Sequence, residues 1–104
     1  MHPGKPYREE FLKESVVVRT FFSNTDESEL KWHWDEEDRE IESLETTDWL
    51  FQFDNQLPME INKKIFIPKG VIHRVIKGTG DLKLQITKWP IQSLSTRALM
   101  SMGL

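Results

Sequence analysis

Short runs of β-branched and aromatic residues, separated by polar turns only a few residues long, set what this chain can become. Val16-Val17-Val18-Arg19-Thr20-Phe21-Phe22 reads as a buried strand. Ser23 to Ser28 (SNTDES) is a polar loop. Leu30 to Asp35 alternates well enough for a second strand, and Ile41 to Leu44 for a third. Trp49-Leu50-Phe51-Gln52-Phe53 is a strong strand ended by the turn pair Asp54-Asn55. Met59 to Ile61 and Ile65 to Ile67 flank the polar turn Asn62-Lys63-Lys64. Pro68-Lys69-Gly70 is a loop before a strand over Val71 to Ile76; Lys77 to Asp81 turns the chain into a last strand, Leu82 to Thr87. Roughly seven or eight such strands with no long helix between them predict an antiparallel sandwich or barrel. Before Val16, residues 1–15 read as a Pro/Gly-containing arm passing into a stretch of weak helical character. Residues 91–104 read as a tail that forms a short helix or stays disordered.

The chain's 104 residues suit one domain, 1–104, with its core over about 16–90. At 38% hydrophobic and 30% charged it is polar yet globular, because its four Trp and six Phe are spread along its length. A net charge of −3 argues against sequence-independent nucleic-acid binding, which needs a cationic surface to displace phosphate counterions. No run approaches the ~18 apolar residues of a membrane span, and Met1 to Glu10 lacks the apolar core of a secretory signal. A cytoplasmic location is therefore expected, with no membrane partner. Cysteine is absent, so a metal would have to be held by imidazole, carboxylate or amide oxygen. A small core is often completed by a second copy, which makes a homodimer the expected assembly.

Three histidines occur, and His2 falls in the terminal arm. His33 sits in Trp32-His33-Trp34-Asp35, where strand alternation puts His33 and Asp35 on one face and the tryptophans on the other. Donors two apart on a strand lie ~7 Å apart at the backbone, near enough to lean onto one ion. Imidazole with carboxylate suits Fe, Mn, Ni or Zn as divalent ions. A lone strand histidine, however, is more often a hydrogen-bonded structural residue. His73 follows Pro68-Lys69-Gly70-Val71-Ile72 and shares a face with the apolar Val71 and Val75. A histidine among inward aliphatics needs a partner for its ring nitrogens; a metal, a carboxylate or an ordinary core hydrogen bond would each supply one.

Together these segments resemble the cupin superfamily. Pro68-x-Gly70-x-x-His73, preceded by Ile65-Phe66-Ile67, resembles the second cupin motif. His33-x-Asp35, followed by Arg39 and then Ile41 to Glu45, resembles a degenerate first motif. The likeness runs from about Val16 to Thr87. Asp35 stands where the motif has its second histidine, and its glutamate falls on Arg39 or Glu40. Arg39 cannot bind a cation, and Glu40 has the opposite strand parity to His33. Glu37 has the matching parity and is the substitute carboxylate. The resemblance implies an all-β, cupin-type jelly-roll barrel with a divalent metal at its cavity. The implied ligands are His33, Asp35 or Glu37, and His73. It also implies a small organic molecule bound there, with dioxygenase, isomerase or lyase chemistry in which Glu37 would handle protons; Arg39, if it faces the interior, could hold a substrate carboxylate with its planar fork.

Blander readings stand beside these. Arg39 could simply pair with Glu37 or Asp38. Arg74 faces opposite to His73 and is expected outside, Gln52 could face either way, and the tryptophans are mostly packing material, though Trp49 could line a pocket. A non-catalytic module holding a small ligand such as a sugar, or a decayed cupin with an assembly role, would explain the degenerate first motif. The complete Pro-x-Gly-x-x-His favours metal-dependent chemistry.

Overall fold

The computed structural model describes residues 6–89. The apolar runs form β2 (Val16–Phe21), β3 (Asp38–Ser43), β4 (Leu50–Phe53), β5 (Met59–Glu60), β6 (Ile65–Ile67), β7 (His73–Ile76) and β8 (Leu82–Trp89), preceded by β1 (Tyr7–Lys13). The strands build two antiparallel sheets, one ordered β1-β2-β8-β3-β6 and the other β5-β4-β7. Alternation decides which side chains meet between them. Val17 and Phe21 of β2, Ile41 of β3, Ile65 and Ile67 of β6, and Leu82, Leu84 and Ile86 of β8 are buried against Trp49, Phe51 and Ile61. Each such side chain contributes about 1.5–3 kcal/mol by leaving water. Trp49 is completely enclosed and its indole N–H donates to the Gly80 carbonyl at 3.0 Å, so it belongs to the core rather than to a pocket wall.

Two local expectations change. Tyr7–Lys13, read for weak helical character, is an edge strand paired antiparallel with β2 from Tyr7↔Phe21 to Lys13↔Val16. Its charges alternate usefully in a strand: Tyr7 and Glu9 turn inward while Arg8 and Glu10 face solvent, so sheet pairing overrides a weak helical preference. Leu30 to Asp35 does not make a regular strand. After a 3-10 turn at Glu27–Glu29, capped by Asp26, it joins a sheet only through an isolated bridge, His33↔His73. The C-terminal helix considered for 91–104 lies outside the described residues. No helix among the described residues is long and apolar enough to cross a membrane.

Candidate metal centre

His73 owes its place to the turn before it. Val71 N–H donates to the Pro68 carbonyl at 3.2 Å, and Gly70 sits at φ +82°, a conformation that a Cβ would strain. The Gly70 N–H donates to the Asp35 carbonyl at 2.9 Å, and the Lys69 N–H to Asp38 Oδ1 at 2.8 Å. These two bonds tie the proline turn to the segment carrying Asp35. The chain then enters β7 with His73 opposite Phe53 on one side and His33 on the other.

Three of the residues singled out in the sequence converge. One ligand atom from each of His33, Asp35 and His73 lies within 4.8 Å of the others. The two imidazoles meet edge to face with centroids 4.3 Å apart, and Phe51 stacks on the His73 ring at 5.5 Å. His73 is buried and Asp35 partly so; His33 is the exposed member. His73 Nδ1 lies 2.8 Å from the Val71 carbonyl, and His33 Nδ1 lies 3.1 Å from the Lys31 carbonyl. A carbonyl can only accept, so each Nδ1 carries a proton, which leaves Nε2 as the nitrogen through which the neutral form of each ring would bind a cation.

Asp35 completes the arrangement. Its Oδ1 lies 3.4 Å from Arg39 Nη1, and its Oδ2 lies 3.3 Å from His73 Nε2. Oδ2 is buried and makes no hydrogen bond. An oxygen lone pair and a nitrogen lone pair facing each other at that distance repel unless a proton or a cation lies between them. Burial works to raise the Asp35 pKa, but a hydrogen bond from His73 when its Nε2 carries a proton, together with the charge of Arg39, outweighs it and holds the carboxyl below its ordinary range. Burial is the main cause that pushes the His33 pKa below that of free imidazole, opposed by its Lys31 contact. Anionic carboxylate and neutral imidazole are the forms that bind a cation, so this donor set fits a divalent ion.

The remaining predicted residues fall into place around this group. Glu37 is not among the converging donors, because its Oε2 is taken by Arg39, 2.6 Å from Nε and 2.5 Å from Nη2. Arg39 does face the interior, where it lines a cavity of about 300 Å³ between the sheets together with His33, Asp35 and His73. Pairing with Glu37 is the blander of its two expected roles, and the structure contains it. Glu40 turns away, opposite Phe66 and Thr87. Arg74 lies on the other face of β7 from His73, donating to Gln52 at 2.9 Å and covering the Trp32 ring at 4.3 Å.

Among the cavity residues that sequence reasoning missed, Arg19 is the most buried cation. It donates from Nε to Glu9 Oε2 at 2.7 Å, with Nη2 at 2.5 Å from the same oxygen, and its guanidinium lies 3.9 Å over the Tyr7 ring. The available signal was parity, since Arg19 shares the inward face of β2 with Val17 and Phe21.

No family model and no curated protein matches the sequence. Solved structures do resemble the fold. HppE with Co(II) and Tris buffer superposes with a TM-score of 0.61 at 18% identity, over 80% of this chain and 53% of that one. A DMSP lyase structure gives 0.57 at 19% identity, over 70% and 36% of the two chains. A protein from Neisseria meningitidis gives 0.55 at 14% identity, over 81% and 84%. This chain therefore spans about a third of the lyase chain and about half of the HppE chain. Its two antiparallel sheets form a cupin-type fold.

Proposed function

We propose that this chain is a metal-binding cupin in which His33, Asp35 and His73 hold one divalent ion beside a cavity for a small organic molecule. The observation that carries this reading is the Asp35 Oδ2–His73 Nε2 approach at 3.3 Å, with both His Nδ1 atoms committed to backbone carbonyls. Two imidazoles and one carboxylate leave coordination positions for water or ligand and suit Fe, Mn, Ni or Zn. Among the fold neighbours, HppE has been solved with Fe(II) and with Co(II), and another neighbour is a DMSP lyase, which supports small-molecule chemistry at such a centre. A divalent ion would supply Lewis acidity, polarising an oxygen of the bound molecule.

The chain's own residues prepare that site. Val71 and Lys31 carbonyls fix the tautomer and tilt of the two rings. Arg39 holds Asp35 Oδ1 and so turns Oδ2 towards His73. Glu37 fixes Arg39 from the other side. The apolar wall around Ile41, Phe51, Val75 and Leu84 excludes water from one side of the cavity.

The test is elemental analysis of protein purified without chelator, repeated on His33→Ala and His73→Ala. Metal near one equivalent in the parent, lost from both variants while circular dichroism stays unchanged, is the expected result. Equal metal in all three proteins would sink the reading.

A further inference from the structure

We propose that the cavity takes a small organic anion with an apolar body, and that Arg19 is the residue that grips its acidic group. This deepens the reading of the cavity as a ligand site and rests on it, but it does not need the ion to be present.

The case begins with cost. Arg19 interrupts the inward face of β2 between Val17 and Phe21, on a strand whose other residues are all buried. Its side chain is 11% exposed and that of its partner Glu9 is 20% exposed. Removing two charges from water is rarely repaid in full by their attraction, and an aliphatic pair at these positions would serve the core at least as well. Stability alone therefore gives little reason for a guanidinium here.

Its geometry gives a better one. A guanidinium carries five N–H donors in one plane. Nε and Nη2 both reach a single oxygen, Glu9 Oε2, and the Tyr7 ring beneath fixes the plane of the group. Glu9 and Tyr7 thus aim the guanidinium, and Nη1 brings further donors to a group that lines the cavity. A planar carboxylate is the ligand group that matches such an edge.

Other charged groups stand close by. Lys88, on the β8 face that also carries Leu84 and Ile86, lies directly opposite Arg39 in the sheet register. Burial first, and then Arg39, holds the Lys88 pKa below the usual lysine value; Arg19 pushes the same way, against Glu9 and Glu37. The cavity itself is lined by Arg19, Lys31 and Arg39 together with Glu29 and Asp35, so an anion bound there has two guanidiniums on its wall. Between these polar groups the wall carries Phe21, Ile41, Phe51, Leu84 and Ile86, which accommodate a hydrocarbon body.

The test uses benzoate and its neutral isostere benzamide as probes, titrated into the full chain and followed by amide chemical shifts. Each series is run on protein as purified and after chelator treatment, with metal content measured on the same samples. Saturable benzoate binding is expected, with benzamide at least tenfold weaker. Arg19→Gln should lower benzoate affinity at least tenfold and leave benzamide unchanged, and Arg19→Lys should fall between. If Arg19→Gln fails to fold, Arg19→Lys carries the test, and a loss of threefold or more supports the proposal. Benzamide matching benzoate, benzoate affinity unaffected by the Arg19 change, or no saturable benzoate binding would each overturn it. Charge discrimination in protein that holds no metal would sustain this inference while the metal reading fails; metal without discrimination would do the reverse.

Discussion

His33 and His73 stand forty positions apart in the chain, yet each is the other's cross-strand partner, exchanging backbone hydrogen bonds of 3.0 and 2.9 Å. The closeness of their rings is therefore set by main-chain register as well as by side-chain packing. A slip of one residue in that bridge would send one imidazole to the opposite face.

Asp35 and Glu37 should separate cleanly in a metal assay. Asp35→Asn removes the anionic donor whose Oδ2 faces His73, and metal retention should fall at least tenfold. Glu37→Gln touches only the support of Arg39, and retention should stay within about twofold of the parent. After chelation, Asp35→Asn should melt below the parent at neutral pH, because it removes the charge that Arg39 pairs with at 3.4 Å and whose pKa folding lowers. Elemental analysis and thermal melts check both arms; greater metal loss from Glu37→Gln would reverse the assignment.

Gly78 offers a prediction about stability alone. A Cβ there would lie 2.7 Å from the Trp49 amide nitrogen and 2.8 Å from the Asp48 carbonyl carbon, both backbone atoms with little room to give. Gly78→Ala should cost about 1–3 kcal/mol in a denaturant titration. A midpoint equal to the parent's would show that the β7–β8 turn yields freely.

Trp49 is completely enclosed, and its N–H is satisfied by Gly80. Trp49→Phe leaves a void and strands that carbonyl, and should destabilise by about 2–4 kcal/mol. Metal content measured well below the melting range should not change, since Trp49 contributes no donor to the candidate centre.

Asp48 gives the pH dependence. Hydrogen bonds from the Thr79 amide and hydroxyl, both 2.8 Å, hold its carboxyl below the ordinary 3.8. A pKa lowered by folding means that the stabilisation is complete above 3.8 and is lost as pH falls through the folded value. Asp48→Asn should therefore melt below the parent at neutral pH, and the gap should narrow as both proteins are taken to about pH 3. A gap that stays constant across that range would show that ionisation of Asp48 contributes nothing.

Much of this fold is legible in the sequence where apolar content and turn chemistry agree. Val16–Phe21 and Leu50–Phe53 are uniform enough to be read as strands, and Asn55 adopts the positive φ that its Asp-Asn turn invites. Tyr7–Lys13 is not legible, because an edge strand with one solvated face can carry as many charges as a surface helix. Leu30 to Asp35 misleads in the other direction: it has strand alternation, but His33 alone finds a bridge. At the candidate centre, His33, Asp35 and His73 could be named from motif spacing. Glu37 shares their parity, but parity says nothing of Arg39 lying close enough to claim it. Arg19 stays hidden because its partners Glu9 and Tyr7 lie on a strand whose existence depends on pairing with β2 itself.

The bond from Gly70 N–H to the Asp35 carbonyl means that position 35 is located by its main chain, whatever side chain it bears. Scaffold and chemistry are separable there. Histidine, glutamate or a neutral residue could occupy that point while the proline turn still closes on it, so the kind of ion preferred, or the loss of one altogether, can change through a single codon without the architecture having to follow.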